Sequence, residues 1–256
     1  MKNNVREKLA LGQKVVGTFF EIGSMTAVEC LALTGLDYFV IDCEHGPFDV
    51  ERALEFVRTA ELKNITPFVR VSDISRPAIL KMLDIGAQGL IVPCVDTVEQ
   101  VKKIVEYGKY PPVGRRGFFF TRVAEYGNSP EAAPIESYLQ KCNDTIMLIP
   151  QCETVGCLEN IEEITAIEGV DGIFVGPYDL TIAMGIPGQF SNPAFLQALD
   201  RVNKACKTAG IPLLIYTGNT AAASKYFEQG IDGVAYGTDL AVYIEGFRNI
   251  LKEIKR

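Results

Sequence analysis

The chain has 256 residues, of which 48% are hydrophobic and 22% charged, a composition typical of a globular protein that buries a large core. Its formal net charge of −7 disfavours nucleic acid as a partner, because an acidic surface repels a phosphate backbone. No stretch reaches the roughly 20 apolar residues that cross a bilayer, and the first residues lack the apolar centre of a secretory signal, so we expect a cytoplasmic protein with no membrane partner.

Eight apolar runs of strand length occur along the chain and predict eight strands. They are residues 15–20, 38–42, 66–71, 89–95, 145–153, 172–177, 212–218 and 232–237. The runs are continuously hydrophobic more than strictly alternating, which is typical of parallel strands that are buried on both faces.

Segments with helical spacing separate these runs, and several end in a glycine, as helix C-caps often do. They are residues 24–35, 50–62, 76–86, 97–108, 157–167, 194–210 and 220–230, with a last helix at 238–256. Eight βα units in a chain of this length favour one domain, residues 1–256, folded as an α/β protein of the (β/α)8 TIM-barrel class. They disfavour an open doubly wound sheet.

Residues 111–135 interrupt this rhythm, because the connection is too long and irregular for an ordinary barrel turn. It contains three consecutive aromatic residues, 118–120, which would be poorly placed on a solvated tail. We expect an ordered segment that serves as a lid, as an active-site wall or as a contact between subunits.

The seven cysteines are Cys30, Cys43, Cys94, Cys142, Cys152, Cys157 and Cys206. Their number is odd, none forms a Cys-x-x-Cys pair, and they are spread among apolar neighbours, as buried free thiols usually are. This pattern indicates a reducing compartment. It also disfavours a structural zinc site, which normally takes closely spaced thiolate or imidazole pairs.

Reactive groups of such a barrel lie where strands end and the following loops begin. Five predicted strands end in polar or reactive side chains. These ends are Asp42-Cys43-Glu44-His45 on the second strand, Arg70 on the third, Pro93-Cys94 on the fourth, Gln151-Cys152-Glu153 on the fifth and Gly176-Pro177-Tyr178-Asp179 on the sixth.

Glu153 and Asp179 end adjacent strands, so we expect their carboxylates to converge at the rim and to require a cation. Hard oxygen ligands favour Mg²⁺, Mn²⁺ or a similar divalent ion such as Co²⁺. The alternative is that each carboxylate only caps the helix that follows it. The turn at 176–180 resembles a helix start that attracts an anion, although Gly-Pro turns are also frequent for local reasons.

His45 is the only histidine and lies next to Asp42, just beyond the second strand. Its imidazole could act as a general acid or base, whereas the alternative is a structural histidine. Asp42 could bind a metal-held water, orient the imidazole or only hydrogen-bond the turn. Arg70 stands inside an apolar run, so it must have an anionic partner, which is either a substrate oxygen or a neighbouring acid.

Several segments together resemble the HpcH/HpaI aldolase family of metal-dependent pyruvate aldolases, which includes 2-dehydro-3-deoxyglucarate aldolase and 4-hydroxy-2-oxoheptanedioate aldolase. They are IDCEHGP at 41–47, PFVRV at 67–71, MLDIGAQGLIVP at 82–93, YPPVGRRGF at 110–118, PQCET at 150–154 and VDGIFVGPYDL at 170–180. The likeness runs from Gly17 to the final helix, in order and with nearly uninterrupted spacing.

The resemblance implies a class II aldolase that cleaves a 4-hydroxy-2-keto acid to pyruvate and an aldehyde through a metal-stabilised pyruvate enolate. It implies that Glu153 and Asp179 bind the metal directly. Asp42 and Gln151 would lie near the outer shell of the ion, and Arg70 would contact the keto oxygen of pyruvate. No lysine ends a predicted strand, as a Schiff-base aldolase would require.

The resemblance also assigns catalytic roles to His45, through water-linked proton transfer, and to Asp84, through a histidine of a neighbouring subunit. The substrate pocket would include Arg70 and Gln151, together with the turn residues Gly176, Pro177 and Tyr178. Family members are typically homo-hexamers, built as trimers of dimers that exchange their last helix. We therefore expect residues 238–256 to make oligomer contacts.

Two segments depart from the family pattern, namely the aromatic stretch after Arg116 and the rim of the seventh strand, IYTGNT. Both lie where an aldehyde would be recognised, so the pyruvate half of the site is better supported than the aldehyde half.

Three alternatives remain open. A CoA-ester lyase of the citrate-lyase or malyl-CoA-lyase type would need a basic cluster for the pyrophosphate, and the chain offers only Arg115 and Arg116 as a pair. A phosphate-handling isomerase or decarboxylase would show a glycine-rich cradle after the last two strands, where only TGNT and YGTD occur. A non-catalytic keto-acid-binding barrel would not need acids, arginine and histidine together at the rim.

Overall fold

Eight parallel strands close into a barrel in sequential order in the computed structural model, which describes residues 2–255. They are Val15–Phe20 (β1), Tyr38–Asp42 (β2), Thr66–Arg70 (β3), Gly89–Val92 (β4), Met147–Cys152 (β5), Ile173–Val175 (β6), Leu213–Thr217 (β7) and Gly233–Thr238 (β8). Each strand lies inside its predicted run, except that β8 extends one residue beyond it, and β4 ends three residues before its run does. β8 pairs back onto β1. The prediction of a (β/α)8 barrel is confirmed.

Helices surround the barrel. They are Asn4–Ala10 (α1), Met25–Ala32 (α2), Val50–Lys63 (α3), Arg76–Asp84 (α4), Val98–Gly108 (α5), Ile135–Thr145 (α6), Val155–Glu159 (α7), Ile161–Thr165 (α8), Pro177–Ala183 (α9), Pro193–Ala209 (α10), Thr220–Glu228 (α11) and Asp239–Ile254 (α12). The sequence does not predict α1, α6 and α9, two of which have only seven residues. The predicted helix at 157–167 is two short helices that meet at Asn160.

Side-chain caps set where the outer helices begin. Asp49 accepts a hydrogen bond from the backbone of Arg52 and starts α3, and Thr97 forms a reciprocal capping box with Gln100 at the start of α5. Each of these helices therefore begins in the loop that leaves the carboxyl end of a strand, which places the loops at one end of the barrel.

The core has two parts, one inside the barrel and one between strands and helices. Val5 of α1 belongs to the inner part and is fully buried, so α1 packs across the amino-terminal end of the barrel. Asn3 anchors this helix, because its side chain donates to the carbonyls of Gln88 and Thr145 at 2.9 and 3.0 Å. The amino-terminal end is thus covered, and a ligand site must lie at the carboxyl end.

Residues 111–135 form two short 3-10 segments, Arg122–Gly127 and Pro130–Ala132, on the side of the barrel. Phe118 packs on Tyr110, which immediately precedes this connection, whereas Phe119 is 76% exposed. Within one chain these aromatic side chains do not line the cavity described below, so the expected active-site wall is not formed here. Roles as a lid or a subunit contact stay predictions.

Among the residues that the structure describes, no helix has both the length and the apolar character needed to cross a membrane.

Candidate active site

A cavity of about 270 Å³ opens at the carboxyl end of the barrel. It is lined by Phe19, Glu21, Arg70, Gln151, Phe174, Gly176, Pro177, Tyr178, Asp179, Tyr216 and Thr238. A larger depression of about 760 Å³ lies on the outer surface between α8 and α10 and contains none of the predicted site residues. The smaller cavity is the candidate active site because the predicted polar groups converge there.

Arg70 is held rigidly at the edge of this cavity. Its Nε and Nη2 donate to the two carboxylate oxygens of Asp42 at 2.9 and 2.6 Å, and its Nη1 lies 3.1 Å from Oε2 of Glu44. The guanidinium carbon lies 4.8 Å from the ring centroid of Phe19. Although burial lowers the pKa of Arg70, the hydrogen bond and the charge of Asp42 raise it above its usual value. The predicted anionic partner is therefore present in the chain.

Glu153 is buried beside Gln151 at the end of β5. Its Oε1 accepts from the backbone N–H of Cys94 at 2.6 Å, and its Oε2 accepts from Nε2 of Gln151. These two side chains lie close to the backbone of residue 176, which must therefore be a glycine. A Cβ there would lie 2.9 Å from Oε2 of Glu153 and 3.1 Å from Nε2 of Gln151. Gly176 thus leaves room for two polar groups at the rim.

Glu153 also belongs to a group of possible metal ligands with Glu44 and Cys94. One ligand atom from each residue lies within 4.8 Å of the other two. Burial and the carboxylates of Glu153 and Glu44 raise the pKa of the Cys94 thiol to about 11. Burial also raises the pKa of Glu44, against the lowering effect of Arg70. Asp179 is exposed on the same cavity as Gln151 and is not a member of this group.

His45 lies at the solvent edge of the turn that follows β2. Its side chain is exposed, and its backbone N–H donates to Oδ1 of Asp42 at 3.3 Å. The turn is tight, since a Cβ on Gly46 would lie 2.1 Å from the carbonyl oxygen of Asp42. The carboxylate of Asp42 therefore contacts the backbone of His45, while its main partner is the guanidinium of Arg70.

Asp84 ends α4 and does not line the cavity. Its Oδ1 accepts from Nη2 of Arg116 at 2.7 Å, and its side chain is partly exposed. The sequence-predicted role of Asp84 would therefore require a second subunit.

Sequence reasoning missed seven residues of the rim and the cavity or gave them no role. Glu44 and Cys94 stand at predicted strand ends but were assigned no chemistry. Five cavity residues were not singled out, although each lies within one residue of the carboxyl end of a strand: Phe19, Glu21, Phe174, Tyr216 and Thr238. Burial and the charges of nearby acids raise the pKa of Glu21. The sequence signal that could have found these residues is their position at a strand end, independent of residue type.

Comparisons with known proteins agree with the barrel fold and with the family that the sequence resembles. The family described as HpcH/HpaI aldolase/citrate lyase matches residues 16–246. A 5-keto-4-deoxy-D-glucarate aldolase of Salmonella arizonae is 34% identical over 255 residues, which are 99% of this chain and 97% of that protein. A hydroxypyruvate/pyruvate aldolase of Cupriavidus necator is 32% identical over 250 residues, 97% of this chain and 91% of that protein.

A crystal structure of a family protein from Burkholderia cenocepacia superposes with a TM-score of 0.92 at 31% identity and covers 100% of both chains. The similarity thus extends over the whole barrel.

Proposed function

The chain belongs to the HpcH/HpaI aldolase/citrate lyase family, and we propose that it is a class II, metal-dependent aldolase that cleaves a 4-hydroxy-2-keto acid to pyruvate and an aldehyde. Candidate substrates are 2-dehydro-3-deoxyglucarate and 4-hydroxy-2-oxoheptanedioate. The observation that carries the proposal is the placement of a buried, rigid arginine, Arg70, on one small cavity with Gln151 and Asp179, beside the buried carboxylate of Glu153.

The rim is chemically suited to a divalent cation. Oε1 of Gln151 is buried and has no hydrogen-bond partner among the described residues, and carboxylates cluster next to it. Glu153 and Asp179 would hold Mg²⁺, Mn²⁺ or Co²⁺, with Gln151 near the outer shell. Asp42, whose two oxygens both bind Arg70, would act on this site mainly by holding the guanidinium. When bound, the ion supplies Lewis-acid polarisation of the substrate keto group.

Arg70 would stabilise the negative charge that develops during cleavage. When the bond between C3 and C4 of the substrate breaks, its electron pair passes to the pyruvate fragment as an enolate, and the C4 hydroxyl becomes the aldehyde carbonyl. A fixed guanidinium directed at the developing oxyanion needs little reorganisation during the reaction, because Asp42 and Phe19 already hold it.

His45 is proposed to relay protons between the site and water. The C4 hydroxyl loses its proton during cleavage, and a proton must return to C3 to complete pyruvate. An imidazole at the solvent edge, joined to the site by water, can carry both transfers because its ring nitrogens can both accept and donate a proton. Gly176, Pro177 and Tyr178 would complete the substrate pocket.

We further propose a homo-hexamer, a trimer of dimers in which α12 covers a neighbouring subunit. Apolar side chains project from α12 while the only buried residue of the helix is its first, Asp239. Among them, Tyr243 is 60% and Phe247 54% exposed. A largely apolar groove of about 690 Å³ lies between α2 and α12. Exposed apolar surface of this extent is typical of a covered interface. In the same assembly, Asp84 of one subunit is proposed to reach His45 of a neighbour.

The CoA-ester alternative has no support from the cavity. Arg70 is the only cationic residue among those that line it, and it is already paired. Arg116 is paired with Asp84 outside the cavity, and Arg115 lines a separate surface depression. No unpaired basic residue lines the cavity to bind the pyrophosphate of CoA.

The test is pyruvate release from the two candidate substrates with Mg²⁺, Mn²⁺ or Co²⁺, and then with EDTA. We expect release that requires metal and falls at least about 100-fold in Glu153→Gln, because the variant loses a charged ligand. Glu159→Gln, an exposed glutamate of the next helix, is the matched control and should retain activity. Turnover that resists EDTA, or no turnover of these or shorter 4-hydroxy-2-keto acids, would contradict the proposal.

A further inference from the structure

Cys94 brings a thiol between two carboxylates at the rim of the barrel. Its Sγ lies 3.7 Å from Oε1 of Glu44, and one ligand atom each from Glu44, Cys94 and Glu153 lies within 4.8 Å of the others. We call these three residues the rim cluster. Ligands of one tetrahedral metal ion lie roughly 3.3–3.8 Å apart, given metal–ligand bonds of about 2.0–2.3 Å. The rim cluster is therefore compact enough to share an ion after small side-chain rotations.

The backbone of Cys94 fixes the thiol relative to Glu153. Its N–H donates to Oε1 of Glu153 at 2.6 Å, so the residue that presents the thiol also anchors one carboxylate. Cys94 has a φ of 55°, in the left-handed region that non-glycine residues seldom adopt. This conformation aims the N–H and the side chain of one residue at the same rim.

A buried polar atom next to the rim cluster lacks a partner. Gln151 is 2% exposed, and its Nε2 donates to Glu153, yet its Oε1 has no hydrogen-bond partner among the described residues. Oε2 of Glu44, by contrast, is ion-paired with Nη1 of Arg70 at 3.1 Å. An unpaired buried oxygen costs free energy, and a cation or a water bound to it would provide the missing partner.

We propose that the rim cluster binds a borderline divalent ion, such as Zn²⁺ or Co²⁺, through the thiolate of Cys94 and the carboxylates of Glu44 and Glu153. A thiolate ligand favours these ions over Mg²⁺, which takes oxygen ligands. The thiol proton leaves to solvent when the metal binds. The rim cluster shares Glu153 with the proposed aldolase site, so the two metal positions are not independent, but the inference does not require aldolase activity.

No spacing motif in the sequence reveals this site. Cys94 is 50 residues from Glu44 and 59 residues from Glu153, and only closure of the barrel brings the ends of β2, β4 and β5 together. The site therefore differs from a structural zinc site, whose ligands come in close-spaced pairs.

The test is a Co²⁺ titration of protein stripped with EDTA, followed by absorption in the near ultraviolet, where thiolate-to-cobalt charge transfer appears. Equilibrium dialysis with metal analysis measures bound Co²⁺ in the same samples. We expect the wild-type protein to show the band and Cys94→Ser to lose it, with Co²⁺ affinity reduced at least about tenfold. Cys30→Ser, which changes the other exposed cysteine among the described residues, should keep both.

A second measurement needs no variant. Alkylation of Cys94 in the wild-type chain with iodoacetamide, read by peptide mass spectrometry, should be slowed by Zn²⁺ and left unchanged by Mg²⁺. Equal rates at Cys94 with and without Zn²⁺ would overturn the inference, as would a charge-transfer band that survives in Cys94→Ser or bound Co²⁺ without any band in the wild type.

The two proposals can fail separately. Pyruvate release with Mg²⁺ in a protein that shows no thiolate band with bound Co²⁺ would leave the aldolase proposal and remove the rim-cluster ion. A thiolate band in a protein that releases no pyruvate from any tested keto acid would do the reverse.

Discussion

Arg70 and Asp42 are register partners on neighbouring strands, and their side chains form a bidentate pair at 2.9 and 2.6 Å. A planar guanidinium held by two parallel hydrogen bonds has a fixed orientation. Since Arg70 also borders the cavity, the pair links the barrel register directly to the proposed chemistry.

Replacing Arg70 with lysine keeps a positive charge but removes the planar fork that Asp42 binds. We expect kcat for pyruvate release to fall about 100-fold in Arg70→Lys, because a donor aimed at the developing oxyanion is lost. Steady-state kinetics measure the loss, and circular dichroism checks the fold. Arg201→Lys, an exposed arginine paired with Glu162 on the outer surface, is the control. Full activity in Arg70→Lys would contradict the assigned role.

Adding a methyl group at Gly176 should displace the carboxylate of Glu153. The new Cβ would lie 2.9 Å from Oε2 of Glu153 and 3.1 Å from the amide of Gln151. We expect Gly176→Ala to weaken divalent metal binding about tenfold or more, measured by metal titration of activity. Gly218→Ala, where a Cβ meets nothing within 4 Å, should bind metal as the wild type does. Equal affinities in the two variants would refute the crowding argument.

Lys109 is expected to contribute strongly to stability, since its ammonium group is buried and fully engaged. Nζ donates to the carbonyls of Asn143 and Ile146 at 2.7 and 2.8 Å and lies 2.7 Å from Asp171. Lys109→Met would remove the buried cation that these acceptors share, although Arg6 still contacts Ile146 and Asp171, and should lower the free energy of unfolding by about 3–5 kcal/mol. Urea denaturation measures the change. The exposed Lys102→Met should alter stability by less than about 0.5 kcal/mol, and a similar small effect at Lys109 would be inconsistent with the prediction.

Tyr38 should make the protein less stable as the pH rises above about 10. Burial raises the pKa of its hydroxyl, so the folded chain keeps a proton that the unfolded chain releases, and the unfolding free energy falls with pH in that range. Tyr38→Phe should reduce this slope by about 1.4 kcal/mol per pH unit. Near neutral pH it should cost little, because the hydroxyl has no hydrogen-bond partner among the described residues.

Urea denaturation from neutral pH to about pH 11 tests this expectation. Tyr243→Phe, at an exposed position of α12, is the control and should leave the slope unchanged. An identical alkaline slope in wild type and Tyr38→Phe would show that Tyr38 ionises equally in both states.

Charge on the exposed face of α12 should prevent assembly. Phe247→Asp places a carboxylate where we propose that a neighbouring subunit packs, so we expect a smaller particle by analytical ultracentrifugation and a loss of activity. Leu62→Asp, at an 82% exposed leucine of α3, serves as the control for an added surface charge. A particle of unchanged mass in Phe247→Asp would argue against an interface on this helix.

The strands were predictable because burial on both faces leaves a continuous apolar run that is visible locally. The short helices α1 and α9 were not, since seven residues hold too few turns for a helical period to show. For the candidate site, the useful signal was that Asp42, Arg70 and Glu153 stand at strand ends. This indicated where the groups would lie but not which of them would touch.

The sequence by itself determined the barrel and the set of polar residues at its rim, because both follow from local periodicity and strand boundaries. The tertiary structure decided the pairings. Asp42 meets Arg70 through strand register, and Cys94 meets Glu153 across 59 residues through a left-handed backbone turn. Distances between side chains on different strands depend on register, barrel closure and loop conformation, and a pattern within one segment carries no information about them.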